Sequence, residues 1–334
     1  MDRLYIIGGR QRKPLFQDPK KEWRWYDTAL VLDVNVASGV VKTCVEYRTP
    51  VDARAGQTSS VNFHSGALVG NTLYTCTATE VMVFKLPLFR VIGYFSLPCF
   101  NDLHHVAPTV DGNLLVVNTG LDMVLKCTPE GLVLSEWSVL GEPPWQRFSR
   151  AIDYRKVETT KPHKSHPNYA FELDGEVWTT RFHQQDAISL NGSLKRIPLA
   201  GERPHDGLVY GDRIYFTAVD GKIVVVDRRR LAIERIVDLR KIQDGERQIL
   251  PAWCRGLLPV DECRIWIGLT RIRETQFREN IRWVKDRLGE GTIMKPTHIA
   301  LFDLAQEKCL KEFDLEPYGM NAVYGIFPVP EWVN

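Results

Sequence analysis

The chain has 334 residues, 44% of them hydrophobic, and 43 Lys plus Arg against 41 Asp plus Glu leave a formal net charge of +2. That length suits one large domain or two ordinary ones, and so even a charge balance argues against a dedicated nucleic-acid binder, which concentrates Lys and Arg on one face. No apolar run approaches the ~20 residues of a membrane helix, and the start, Met1–Gly9, lacks the apolar core and cleavage site of a signal peptide.

Seven cysteines stand scattered with no CxxC pair, most of them inside strand-like runs where a thiol serves as a small apolar side chain. We therefore expect a reduced, cytoplasmic protein without disulfides, a zinc ribbon, a membrane partner or a nucleic-acid partner. The basic clusters Lys20-Lys21 and Arg228-Arg229-Arg230 are short and read as solvated turns.

In chain order, Arg3–Gly8, Thr28–Asn35 and Val40–Arg48 read as three strands that lack an innermost partner. From His64 a repeat of roughly 40 residues sets in, each unit rich in short strands, which is the signature of a propeller. Its first copy is Ser65–Val69, Thr72–Thr77, Val81–Leu86 and Val91–Leu97, with Gly70-Asn71 as a tight turn. The second is His105–Val110, Leu114–Thr119, Met123–Cys127 and Val133–Val139. The third is Tyr169–Leu173, Glu176–Arg181, Ala187–Leu190 and Leu194–Ile197. A fourth runs from His205 to Leu239, and a fifth opens at Trp253 and finishes at Thr297–Leu304 and Cys309–Leu315. Asn321–Phe327 is then an innermost strand with no blade after it. Joined to the N-terminal strands it makes a sixth blade, and such closure removes exposed sheet edges. The expected fold is all-β, one six-bladed β-propeller spanning 1–334.

Insertions interrupt this pattern at 10–25, 141–165, 241–251 and 273–288. The last carries Phe277, Ile281, Val284 and Leu288 at helical spacing and predicts a surface helix inside the fifth blade. In a four-stranded antiparallel blade the start of the first strand, the second-to-third loop and the crossover to the next blade share one face. All four insertions fall on that face, whereas the opposite face keeps short turns such as Asp111-Gly112 and Gly211-Asp212. A rigid frame with long loops on one side is how a walled site is built.

A histidine recurs at the first-strand starts: His64, His105 with His104 beside it, His166 and His205, followed by Arg255 and Asn321 in the last two blades. Strand starts surround the central channel, so neutral imidazoles there suit a divalent transition metal with open positions left for substrate. The sequence leaves open whether His104 or His105 faces the channel. Single histidines also satisfy local polar groups, so capping of strands is the competing use. Loops on the same face offer His183 and Asp186 as proton-moving or ligand-orienting groups, with Asx-turn chemistry as the alternative for Asp122 and Asp186. Arg255 suits a substrate carboxylate held through two parallel hydrogen bonds; an ion pair to Asp122 or Glu80 is its competing role. Trp253, Trp145 and Phe148 wall a pocket or pack a lid. Cys254 should turn between blades, away from Arg255.

The layout resembles the six-bladed propellers as a class, without the WD, kelch or NHL signatures. Histidines at the mouths of several blades resemble the carotenoid cleavage oxygenases, which are seven-bladed; that resemblance implies iron held by His64, His105, His166 and His205. Oligogalacturonate and virginiamycin B lyases are similar in the same limited sense. The leading expectation is a metal-dependent enzyme on a small organic substrate, with Fe(II) ahead of Mn or Zn and an oxygenase ahead of a metal-assisted lyase or isomerase. The non-enzymatic alternative is a propeller that binds a ligand or protein on its top face.

Overall fold

The computed structural model describes residues 2–12, 26–56, 59–192, 195–242, 252–271 and 295–333. The strands form six four-stranded antiparallel sheets, each a blade. Blade 1 runs from Ala67–Val69 to Arg90–Phe95, blade 2 from Leu103–Pro108 to Val133–Ser138, and blade 3 from Pro167–Leu173 to Arg196–Pro198. Blade 4 runs from Leu208–Tyr210 to Ala232–Asp238, and blade 5 from Trp253–Pro259 to Lys308–Asp314. Blade 6 has the order Ala322–Pro328, Arg3–Gln11, Tyr26–Asn35, Val40–Tyr47, so the two ends of the chain close the ring as expected. The joint pairs Leu4 with Pro328, Ile6 with Ile326 and Gly9 with Ala322.

Among the described residues the only helices are single 3-10 turns. The helix expected over 273–288 lies outside the described residues, as do 13–25 and 243–251 of two other insertions.

Strand alternation explains why the inner strands read as nearly unbroken apolar runs. On the second strand of blade 4, Ile214 and Phe216 pack toward blade 3 against Phe171 and Trp178, whereas Tyr215 between them packs toward blade 5 against Leu257 and Ile265. Both faces of a blade are covered, so both sets must be apolar. Equivalent cores join the other neighbours, including Leu4, Ile6 and Leu32 with Trp266 and Ile299 across the closing joint. Each such side chain contributes about 1.5–3 kcal/mol by leaving water. Cys76 and Cys127 are buried between blades 1 and 2, and Cys254 between blades 4 and 5. None of the cysteines is in a disulfide.

The innermost strands are irregular where they leave the channel mouth. In blade 2, Leu103 pairs with Asn118 and His105 with Val117, so His104 is an extra residue. In blade 5, Arg255 pairs with Gly268 and Leu257 with Ile267, which leaves Gly256 unpaired. In blade 6, Gly325 pairs with Ile7 and Val323 with Gly8, leaving Tyr324. In blade 3, Asn168 and Tyr169 fall between the pairs Pro167–Arg181 and Ala170–Thr179. Bulges of this kind re-aim side chains, and here they decide what faces the channel.

Candidate functional site

At the channel mouth lies a cavity of about 520 Å³. Every blade contributes to its wall: His64, His104, His166, His205, Arg255 and Tyr324 come from blades 1 to 6 in that order. Its rim is built by the segment that joins blade 6 to blade 1, with Arg54 and Asn62, and by the crossover from blade 2 to blade 3, with Val157, Glu158 and Lys161.

The structure corrects one member of the expected histidine ring. His105 is fully buried and turned between blades, its ring stacked on Tyr169 at 3.7 Å and its Nδ1 accepting from the Ala170 amide. His104 takes the channel position instead, its ring centroid 4.9 Å from His64, 5.0 Å from His166 and 6.1 Å from His205. The bulge is the cause: an inserted residue reverses the alternation that a regular strand would impose.

Hydrogen bonding fixes the proton on each of these four rings. His64 Nδ1 bonds the Leu103 carbonyl, and His104 Nδ1 lies 2.8 Å from the Asp102 carbonyl. Carbonyls only accept, so both nitrogens carry hydrogen. His205 Nδ1 lies 3.2 Å from the Asp206 carboxylate, which also accepts from Thr217 Oγ1 and the Gly256 amide. His166 is settled by a chain. The Thr160 hydroxyl donates to the Gly120 carbonyl at 2.6 Å, so His163 Nε2 must donate to Thr160, 3.2 Å away. His163 Nδ1 is then an acceptor, and His166 Nδ1 donates to it across 2.7 Å.

All four channel imidazoles therefore hold hydrogen on Nδ1 and a lone pair on Nε2. This is the arrangement in which ligating histidines are found, the distal nitrogen tied to a carbonyl or carboxylate. Burial pushes His64 down to about 4 from 6.5, with Arg255 and His205 adding to the effect. Burial likewise holds His104 and His166 well below the usual range and lowers His205. At neutral pH the rings are uncharged. His205 Nε2 is buried without any hydrogen-bond partner, an expensive state in a protein interior.

Among the described residues, no three of these four rings bring ligand nitrogens within 4.8 Å of one another. Among the described residues, the three-residue group whose ligand atoms all lie within 4.8 Å of one another is Asp102, His163 and His166. Burial works against ionisation of Asp102, but the surrounding His104, Lys161, His163 and His166 outweigh it and hold its carboxyl well below the usual range. Two ring-centroid separations, His64–His104 at 4.9 Å and His104–His166 at 5.0 Å, match the roughly 5 Å expected when two imidazoles share an ion at about 2 Å from each nitrogen, whereas His104–His205 at 6.1 Å is longer. A single ion held by all four requires the rings to turn inward.

The remaining expected residues fall into place unevenly. Arg255 lines the cavity with its guanidinium over the rings of Tyr324 and Trp253, at 4.9 and 5.3 Å. Neither acid considered for an ion pair with it is available. Asp122 binds Arg147, and Glu80 accepts from Tyr47, Thr77 and Tyr94.

Asp186 lies outside the cavity wall, fully buried and clamped by Arg181 and Arg196. His183 is exposed and packs edge-on against Phe182; of the two, Phe182 lines the cavity. Trp145 and Phe148 pack with Leu121, Met123 and Tyr154 under the crossover.

Asp122 does more than close a turn. Its carboxylate accepts from the amides of Lys164, Ser165 and His166 at 2.8–3.1 Å. It thereby holds His166 at φ +58°, a left-handed conformation that histidine rarely adopts.

Sequence reasoning overlooked Asp102, His163, Arg54 and Tyr324 as parts of the site. The His104-His105 doublet was the one local sign of the bulge.

No known family profile matches the chain, and no curated protein does. Among solved structures, a protein of unknown function from Bacteroides caccae is similar over 98% of this chain and 99% of its own, with a TM-score of 0.62 at 15% identity. Virginiamycin B lyase from Staphylococcus aureus aligns over 72% of this chain and 73% of its own, with a TM-score of 0.44 at 15% identity. The Cps50 (Swd1) β-propeller domain of Myceliophteria thermophila aligns over 86% and 83%, at 0.48 and 8%. At such identities the likeness concerns the fold alone.

Proposed function

We propose that this propeller is a metal-dependent enzyme acting on a small organic molecule, its ion held at the channel mouth by His64, His104, His205 and His166. The observation that carries this reading is the common tautomer: four neutral rings from four blades keep Nε2 free, each by a separate hydrogen bond at Nδ1. The support lies in four such rings lining one cavity, since a buried unpartnered Nε2 by itself also occurs at His105 between the blades.

An all-imidazole donor set suits Fe(II) or Zn better than Mn(II), which prefers oxygen ligands; Fe(II) would activate dioxygen, and either ion would polarise a bound oxygen group. The protein's own groups do the rest. Arg255, beside His64 and His205, orients a carboxylate of the substrate. Asp206 fixes the tautomer of His205, and Asp122 fixes the backbone of His166. Trp253, Tyr324 and Phe182 give the wall its aromatic surface.

A second reading, metal-assisted elimination or isomerisation, is favoured by Arg255 itself, because a carboxylate held beside an ion acidifies its α-proton. A cavity imidazole would then take that proton. Iron with oxygen-dependent turnover selects the first reading; manganese or zinc without oxygen dependence selects the second.

The test is elemental analysis of the full chain purified without chelator or histidine tag, with His64→Ala/His205→Ala beside it and His64→Gln/His205→Gln as a gentler pair. The reading expects about one transition-metal ion per chain in the wild type and a loss of at least tenfold in both variants, with unchanged circular dichroism. Metal content equal in all three proteins, or none after reconstitution with Fe(II), Mn(II) and Zn(II), would leave the propeller a binding scaffold.

A further inference from the structure

Among the described residues, two cationic side chains on the cavity wall have no acidic partner of the kind a half-buried charge normally requires. Arg54 and Arg255 both line the cavity, and each has a buried Nε without a hydrogen-bond partner. No ion pair is formed by either among the described residues, whereas the neighbouring Arg155 is committed to Asp153 through both Nε and Nη2. Orphaned buried donors are rare in folded proteins and mark places where something else binds. Three other buried polar atoms on cavity-lining residues also lack a partner among the described residues: the donor Asn62 Nδ2 and the acceptors Asn168 Oδ1 and His205 Nε2.

The two guanidiniums come from different parts of the wall. Arg255 belongs to the innermost strand of blade 5, its guanidinium carbon 4.9 and 5.3 Å from the ring centroids of Tyr324 and Trp253. Its unpartnered Nε leaves N–H groups for a ligand, and a guanidinium edge matches a carboxylate in plane. Arg54 lies on the segment joining blade 6 to blade 1, at the rim, where its carbonyl accepts from Lys156 of the blade 2–3 crossover. One cation at the wall and one at the rim of a single cavity are matched by a ligand charged at both ends.

We propose that the cavity takes a small dicarboxylate, one carboxylate on Arg255 and the other on Arg54. This deepens the proposed function and rests on its assignment of the cavity as the substrate site, without depending on the ion. A cavity of about 520 Å³ has ample room for a small diacid.

The experiment is calorimetric titration of the full chain, once as purified and once after chelation, with succinate and glutarate. Butyrate and pentanoate serve as length-matched monoacids, succinamide as the neutral control, and phosphoglycolate as a mixed carboxylate–phosphate anion of higher charge. The expected result is at least tenfold tighter binding of one diacid than of its monoacid, and no binding of succinamide. Arg54→Gln should bring the diacid down to the monoacid level and leave the monoacid unchanged; Arg255→Gln should weaken both. Equal affinities for diacid and monoacid, an unchanged ratio in Arg54→Gln, or no anion binding at 10 mM would overturn the proposal. Phosphoglycolate binding tighter than either diacid would put a phosphate at Arg54 and overturn the dicarboxylate. Because the proposal does not need the ion, diacid preference in a chain that carries no metal as purified counts against the ion alone. Metal without diacid preference counts against this inference alone.

Discussion

A histidine buried without charge makes the folded protein sensitive to acid, and this chain has at least four such rings at one place. The groups facing His64 from other elements are Asp102, Arg255 and His205; burial, reinforced by Arg255 and His205, outweighs the opposing pull of Asp102 and of the Leu103 carbonyl and leaves His64 at about 4. Between pH 4 and its ordinary value of 6.5 the unfolded chain binds the proton and the folded one does not. Stability is therefore complete above pH 6.5 and falls as pH drops toward 4, by about 3 kcal/mol for His64 alone at 1.36 kcal/mol per unit. Urea unfolding at pH 7.5, 5.5 and 4.5 should show the midpoint falling steadily, and His64→Gln should flatten part of the slope; a midpoint that rises on acidification would refute the account. These residues were partly legible in sequence. Recurrence at the blade starts singled out His64, His166 and His205. His163 was hidden because its role is to hold His166, a second step that spacing does not encode.

At the level of strands, the bulges decide the chemistry. Alternation predicts a regular strand, and a single inserted residue turns His104 rather than His105 into the channel. The same device at Gly256 sits directly after Arg255 and uses φ +73°, where an added Cβ would meet the Gly325 nitrogen at 3.0 Å. Gly256→Ala should then cost about 1–2 kcal/mol, the penalty of a left-handed conformation for a residue with a Cβ, read by chemical denaturation. It should also weaken anion binding through misplacement of Arg255. Unchanged stability and unchanged binding together would show that the bulge does not set the position of that guanidinium. Asp122 illustrates the limit of local reading: an Asx turn is the ordinary expectation, yet its carboxylate grips amides 42 to 44 positions further on. Such a contact exists only once two blades are docked.

The whole ring was the most readable feature, because a closed propeller repeats one pattern and must bury both faces of every blade. Gly70-Asn71, Asp111-Gly112 and Gly211-Asp212 mark the short-turn face, and the unpartnered strands at the two chain ends reveal the joint that pairs Ala322–Pro328 with Arg3–Gln11. That closure places Tyr324 against His64 and His205, at 4.8 and 6.2 Å between centroids, so the ends of the chain complete the site as well as the fold. What repetition could not supply is the rim, where Arg54 and Lys161 stand on segments that follow no repeat.

Central to the account is a ring of imidazoles from four separate blades, all presenting the same bare nitrogen to one cavity. Long-range ¹H–¹⁵N correlation spectra of the histidine side chains, recorded at pH 7.5 before and after one equivalent of Zn(II), measure this directly. The account predicts that His64, His104, His166 and His205 appear as neutral rings protonated at Nδ1, and that zinc shifts the Nε2 resonances of all four together. Rings protonated at Nε2, or Nε2 resonances that stay in place when zinc is added, would contradict it.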